Sequence, residues 1–236
     1  MSRKFIAFDI ETAADIPGTD FNWRPHRPIG ITCAAVLASD AAEPVVWHAR
    51  TTDGKPGPRM NREEARTLVK YLTEQVAAGY TIATWNGLGF DFDVLAEESG
   101  AAETCRELAL GHVDMMFHVF CEKGFPVSLE KAASALGIAG KLEGVSGWHA
   151  PKLWARGEHQ KVLDYVAQDV RLALQIAIQA ELKKSFAWHT QKGTVSSQPL
   201  KRGWLSVRES LKLPEPDTSW MDKPIPRKSF AAWLTV

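Results

Sequence analysis

Asp9 and Glu11, in Lys4-Phe5-Ile6-Ala7-Phe8-Asp9-Ile10-Glu11-Thr12, are the residues whose types and spacing first suggest chemistry. The segment alternates with the period of a strand, so Phe5, Ala7, Asp9 and Glu11 face one way and Lys4, Ile6, Phe8 and Ile10 the other. Two carboxylates then lie side by side at the strand's end. Like charges so close repel, and removing them from water is costly unless a cation sits between them. Oxygen ligands of this kind suit the hard divalent ions Mg²⁺ and Mn²⁺. A strand ending in two solvated acids has the same appearance, so further ligands must come from elsewhere in the chain.

Two other places offer them. Asp91 follows the turn Asn86-Gly87-Leu88-Gly89-Phe90, where the tight glycine turn ends an apolar strand and an acid opens the next helix. Such an acid is favoured by the helix dipole and can simply be a cap; otherwise it reaches the end of the first strand and Asp9. Tyr165 and Asp169 sit four residues apart on a long helical segment and so share a face. They lie at the edge of its apolar stripe, where a half-exposed Tyr–Asp pair would be unremarkable.

The elements that must position these groups are legible from periodicity and punctuation. After the first strand, Ala13 to Pro28 is a Pro-rich loop, and 29–38 and 44–50 read as strands joined by the polar turn 39–43, which predicts an antiparallel meander. Asn61 with Glu64 forms a capping pattern for a helix whose stripe is Ala65, Leu68, Val69, Leu72 and Val76, ending at Gly79. A short strand at 80–85 followed by a helix at about 92–98 demands a parallel, buried placement. Helices at about 102–110 and from the Ser128 cap to Leu136, with a short strand at 112–115 and the segment 117–123, lead to a Gly-rich break at 137–147. The long helix of about 158–184 carries Leu163, Val166, Val170, Ala173 and Ala177 on one stripe. Beyond Lys184 a hairpin (186–189 and 194–197) precedes an irregular tail whose Trp204, Trp220 and Trp233 make it too aromatic for disorder, so packing on the domain is expected.

Composition narrows the class. The 236 residues suit one substantial α/β domain with a small extension. Lys plus Arg equals Asp plus Glu at 28 each, so the excess positive charge that drives non-specific binding to long nucleic acid is missing. Any nucleic-acid contact should be local, in a cleft holding a few nucleotides. Cys33, Cys105 and Cys121 have no paired spacing and read as buried free thiols of a reducing compartment. No signal peptide is evident, and no run nears the roughly 18 apolar residues of a membrane span. The expectation is a soluble, cytoplasmic protein.

In order and context, Phe8-Asp9-Ile10-Glu11-Thr12, Asn86-Gly87-Leu88-Gly89-Phe90-Asp91 and Tyr165-Val166-Ala167-Gln168-Asp169 resemble the DEDD superfamily of 3′–5′ exonucleases in its tyrosine subclass. The likeness is greatest to stand-alone relatives of the proofreading domain of family B DNA polymerases, and it covers about residues 3 to 184. Asp164 stands where the histidine subclass has its histidine. The resemblance implies a ribonuclease-H-like mixed sheet, antiparallel in its first three strands and then parallel, flanked by helices, over 1–184, with a Trp-rich extension over 185–236.

The resemblance also implies hydrolysis of the terminal phosphodiester of single-stranded nucleic acid, DNA more than RNA, with two Mg²⁺ or Mn²⁺ ions about 4 Å apart. Asp9 would bridge both ions, Glu11 and Asp169 would complete the site that activates water, and Asp91 would hold the second ion through water. Tyr165 would orient the attacking water, since a phenol of pKa about 10 is a poor base. The product would be a nucleoside 5′-monophosphate. Ile10 and Thr12 flank the acids where relatives touch the terminal nucleotide, and Asn86 belongs to the same motif set. Phe90 and Trp85 could stack on bases or pack in the core, and Lys141 is a candidate phosphate contact. His112, His149 and His159 lack ligand spacing and read as structural or surface residues.

No polymerase region follows the last motif, which suggests a free-standing nuclease or a subunit working in trans. The Trp-rich extension could clamp substrate, dimerise the protein or dock on a protein partner. A non-catalytic nucleic-acid or protein-binding module with the same fold is the main rival. A carboxylate-pair glycosidase is weaker, because it leaves Tyr165 and Asp169 unexplained.

Overall fold

The computed structural model describes residues 3–17, 22–138 and 147–235. Its centre is a five-stranded sheet in the order β3-β2-β1-β4-β5. The strands are β1 (Phe5–Thr12), β2 (Ile31–Ala38), β3 (Val45–His48), β4 (Thr81–Thr84) and β5 (Val113–Asp114). β1, β2 and β3 form the expected antiparallel meander, and β4 and β5 add to β1 in parallel. Parallel strands need crossovers, and these are α1 (Arg62–Ala77), leading into β4, and the pair α2 (Asp91–Ser99) and α3 (Ala102–Gly111), leading into β5.

The alternation of β1 sends its side chains into two cores. Ile6, Phe8 and Ile10 pack with the buried faces of α1, α2 and α3. Phe5 and Ala7 pack on the opposite face with α5 (Leu129–Ala135) and α7 (His159–Lys183). Asp9 and Glu11 share the face of Phe5 and Ala7, so they emerge beneath α7. At the end of β1 the pairing with β2 shifts register between Glu11 and Thr12, and the Thr32 hydroxyl donates to the Glu11 carbonyl at 3.1 Å. Such a bulge bends the strand and re-aims its last side chains.

Helix starts follow their local signals. Asn61 accepts from the Glu63 and Glu64 amides while the Glu64 side chain returns to the Asn61 amide, completing the expected capping box. Ala65, Leu68, Val69 and Leu72 are buried as expected, but Val76, in the last turn, is 44% exposed at the mouth of a cavity it lines with Tyr80, Thr81 and Ile82. Ser128 caps α5 as read from sequence. The strand expected over 112–115 is shorter, Val113–Asp114, and Met115 already belongs to α4 (Met115–Lys123), which takes in the segment 117–123 and is capped by the Asp114 side chain accepting from the Phe117 amide. The short α6 (Ala150–Ala155), with proline in its first turn, was not foreseen. In α7 the burial is broader than one stripe: Tyr165 and Asp169 are 2% and 7% exposed and continue into buried Leu172 and Ile176. The half-exposed setting considered for that pair is therefore incorrect. The sheet lies under both rows.

Beyond α7, β6 (Ser185–His189) and β7 (Val195–Pro199) form the expected hairpin. α8 (Val207–Ser210), α9 (Lys228–Ala231) and a 3₁₀ turn complete the tail. Trp204 is buried, with its indole donating to the Ala177 carbonyl at 3.1 Å and its ring 5.5 Å from that of Phe186. Trp233 is buried and donates to the Leu88 carbonyl at 2.7 Å. Trp220 departs from the expectation of packing and is 66% exposed. All three cysteines are buried free thiols. Among the described residues no helix is long and apolar enough to cross a membrane.

His112, between α3 and β5, is wholly buried. Its Nδ1 lies 2.6 Å from the Ala109 carbonyl and must donate, leaving Nε2 to accept from the Thr84 hydroxyl at 2.9 Å. Burial pushes its pKa down from 6.5 to about 4, against the raising effect of the Ala109 hydrogen bond. The unfolded chain therefore takes up this proton first as pH falls. The stabilisation is complete above about pH 6.5 and is lost toward pH 4, with a span of about 3 kcal/mol. Urea unfolding at pH 7 and pH 4.5 should show His112→Gln losing less stability between the two than the wild type. Equal losses would contradict this role.

Candidate active site

The Asn86–Asp91 loop is shaped by groups behind it. Asn86 has a φ of 70°, and its amide donates to Asp114 Oδ1 at 3.0 Å. The Leu88 amide donates to Asp114 Oδ2 at 2.9 Å, and the Gly87 amide to Thr84 Oγ1 at 3.1 Å. Glycine is required at two points: a Cβ on Gly87 would lie 2.3 Å from Thr84 Oγ1, and one on Gly89 would lie 2.6 Å from Asn86 Oδ1. The Trp233 indole and Arg24 then hold the carbonyls of Leu88 and Gly89. Asp114, Thr84 and Trp233 were not singled out from sequence, although Asp114 before an apolar helix is a recognisable N-cap signal. Burial raises the Asp114 pKa to about 6 despite its accepted backbone hydrogen bonds, so the carboxylate form is retained at neutral pH at some cost.

The loop delivers Asp91 to β1. Asp91 is the first residue of α2 but is not its cap; its Oδ1 accepts the Ile10 amide at 3.1 Å. Its carboxyl also shares a hydrogen bond with Asp9, and burial raises its pKa to about 7. The three remaining acids converge. Carboxylate oxygens of Asp9, Glu11 and Asp169 all lie within 4.8 Å of one another. Glu11 is 6% exposed and Asp9 somewhat more open. Behind them the Cys33 thiol is pushed well up by burial and then by the Glu11 and Asp9 charges.

A cleft of about 160 Å³ opens over this cluster, lined by Asp9, Glu11, Tyr165 and Asp169 with Ile10, Thr12, Phe90 and Gly147. β1 and α7 thus bring together four of the five residues singled out for chemistry, and Asp91 stands behind the Ile10 backbone without lining the cleft. Ile10, Thr12 and Phe90 reach the cleft. The half-buried Phe90 meets Trp23 edge-on, with centroids 5.4 Å apart. Asn86 does not line it. Trp85 packs on Phe186 and donates to the Val127 carbonyl, a core role. His149 is exposed before α6, and His159 packs on Trp154. Lys141 lies outside the described residues.

Residues 48–180 match the family model of the RNase_H superfamily. The chain belongs to this superfamily. As an RNase_H-superfamily domain it has the ribonuclease-H-like mixed sheet expected from sequence. The matched region begins after β1, so Asp9 and Glu11 lie outside it, whereas Asp91, Tyr165 and Asp169 lie within. A family B DNA polymerase from the hyperthermophilic archaeon Pyrobaculum calidifontis superposes with a TM-score of 0.56 at 23% identity, over 76% of this chain and 25% of the polymerase. The chain therefore spans a quarter of that polymerase, and the likeness is one of fold. No curated protein matches the chain in sequence.

Removal of the Asp114 side chain should show how much the loop depends on it. Asp114→Ala leaves the Asn86, Leu88 and Phe117 amides without their acceptor and should cost about 3 kcal/mol in urea unfolding at pH 7. A loss near zero would mean that water or a rearranged loop replaces it.

Proposed function

We propose that this protein is a metal-dependent 3′–5′ exonuclease of the DEDD type, tyrosine subclass, acting on single-stranded nucleic acid. The observation that carries this reading is the convergence of the Asp9, Glu11 and Asp169 carboxylates beneath Tyr165 at the end of the central strand. The donor set fits the implied metal, since clustered carboxylate oxygens favour Mg²⁺ or Mn²⁺ over softer ions. Asp9, Glu11 and Asp169 would hold it, with Asp91 contributing through its hydrogen bond to Asp9. When bound, such ions lower the pKa of water and neutralise charge on a phosphoryl group. We assign residues 1–184 to the exonuclease domain and 185–236 to an extension that braces it.

The chain's own groups set the rest of the chemistry. Tyr165, buried beside the acids, would orient the attacking water through its hydroxyl. Water oxygen bonds to phosphorus, the bond from phosphorus to the upstream 3′ oxygen breaks, and that oxygen leaves as a hydroxyl. The terminal residue departs as a nucleoside 5′-monophosphate. The cleft lined by Ile10, Thr12 and Phe90 would receive the unpaired end of a strand, and the balanced net charge agrees with local rather than extended binding.

One observation favours a second reading, a binding module without catalysis. Asp91 faces the Ile10 amide rather than the cleft. A 5′-labelled oligonucleotide incubated with Mg²⁺ or Mn²⁺ separates the two. Stepwise shortening from the 3′ end is expected, abolished by Asp9→Ala and reduced about ten- to hundredfold in kcat, with KM little changed, by Tyr165→Phe. DNA and RNA left intact with both metals would favour the binding module.

A further inference from the structure

β7 is a sheet edge: among the described residues it pairs with β6 and with no other strand. The Leu200 amide donates to the Lys184 carbonyl and the Thr190 amide to the Thr194 carbonyl, both at 2.8 Å, which fixes the pattern between them. Bonded and non-bonded pairs alternate in an antiparallel ladder, so Gln198 bonds to Phe186 and Ser196 to Trp188. Val195 and Ser197 therefore turn their N–H and C=O groups away from β6. Among the described residues nothing bonds to those groups. The edge ends at Pro199, which has no N–H to offer.

Exposed edges are commonly blunted by charge, by a bulge or by a covering element. β7 carries neither charge nor bulge over Val195-Ser196-Ser197-Gln198, and Val195 is 58% exposed. Charge collects at the ends of the hairpin instead. Residues 184–205 contain Lys184, Lys192, Lys201 and Arg202 and no Asp or Glu, in a chain whose net charge is zero. All four cations are exposed, and among the described residues none forms an ion pair. The end of β7 also walls a cavity of about 440 Å³, where Pro199, Leu200, Leu205 and Leu213 present apolar surface and Lys201 and Arg202 present charge. The acid that lines it, Glu122, is already engaged by the Gln198 side chain and faces His118 Nε2 at 3.5 Å.

We propose that the outer edge of β7 docks an extended acidic segment of a partner protein. The segment adds to the hairpin as a third strand, sets carboxylates against Lys201 and Arg202, and places an apolar side chain in the cavity. Alternating N–H and C=O groups match another peptide backbone, whereas a phosphodiester backbone only accepts hydrogen bonds. Base stacking has no platform here, because Phe186 and Trp188 are buried on the inner face of the hairpin. Both observations favour a protein over a nucleic acid. Lys183 ends α7 fourteen residues beyond Asp169, about 21 Å along the helix, so a docked segment leaves the acidic cleft open. Docking here does not depend on what the cleft does.

A fluorescein-labelled octapeptide alternating Glu and Val is the probe, read by fluorescence anisotropy with the full chain. It should bind, and its Lys–Val counterpart should not. Lys201→Glu and Arg202→Glu together should weaken binding about tenfold. Ser197→Pro should do the same, since it deletes an outward N–H without breaking a β6–β7 bond. Amide hydrogen exchange followed by NMR reads the geometry. The peptide should slow exchange at Val195 and Ser197 and leave Ser196 and Gln198, which are bonded already, unchanged. Should Ser197→Pro unfold the hairpin, the exchange pattern and the charge-reversed variant still decide. No binding up to about 1 mM peptide, or binding that protects neither Val195 nor Ser197, would overturn the proposal. A labelled oligothymidylate that binds more tightly than the peptide and loses affinity in the charge-reversed variant would also overturn it, making the surface a nucleic-acid contact. Protection of the same amides that grows with protein concentration in the absence of peptide would overturn it by placing a second copy on the edge.

Discussion

Packing of α7 across β1 is the constraint on which the rest of the structure depends. Asp169 comes from the helix, Asp9 and Glu11 from the strand, and their carboxylate oxygens meet within 4.8 Å. At an effective dielectric of about 20, each pair of unit charges at that separation repels by about 3 kcal/mol. Such an arrangement persists only because apolar burial on the same two elements is much larger. Val166, Val170, Ala173 and Ala177 of α7 pack with Phe5 and Ala7 of β1 in one buried cluster. The fold thus holds three acids where their own electrostatics disfavour them, which is the setting that recruits a divalent cation.

The other face of the sheet supports the site by a different device. There the Asn86–Asp91 loop is pinned through its backbone, by Asp114 and Thr84 from neighbouring strands and by Trp233 from the tail. Phe230 approaches the Gly89 position closely enough that a side chain there would meet it. The extension is therefore part of the architecture that fixes Asp91 against Ile10, and its Trp204 joins the core beneath α7. Trp220 is the exception in the extension, largely exposed with its ring edge-on to that of Phe125 at 6.2 Å.

Much of this was legible in the sequence because it is local. Alternation in β1 told which way Asp9 and Glu11 face, the Asn61–Glu64 box marked a helix start, and the spacing of Tyr165 and Asp169 put them on one face. What escaped is non-local. The burial of Tyr165 and Asp169 depends on strands more than a hundred residues earlier, and periodicity within α7 showed only its dominant stripe. Asp114 serves the loop through backbone amides, which carry no residue identity to read. α6, with proline in its first turn, is too short for a periodic signal. The hydrogen bond from the Trp154 indole to the Gly57 carbonyl joins segments about a hundred residues apart, a conjunction that only the folded chain reveals.

The central claim is that Asp9, Glu11 and Asp169 form a divalent-metal site. A crystal soaked with Mn²⁺ and a nucleoside 5′-monophosphate, measured for anomalous scattering, tests it most directly. The expected result is an anomalous peak bounded by the three carboxylates, with the phosphate beside it in the cleft. Ordered carboxylates with no anomalous density between them would contradict the account.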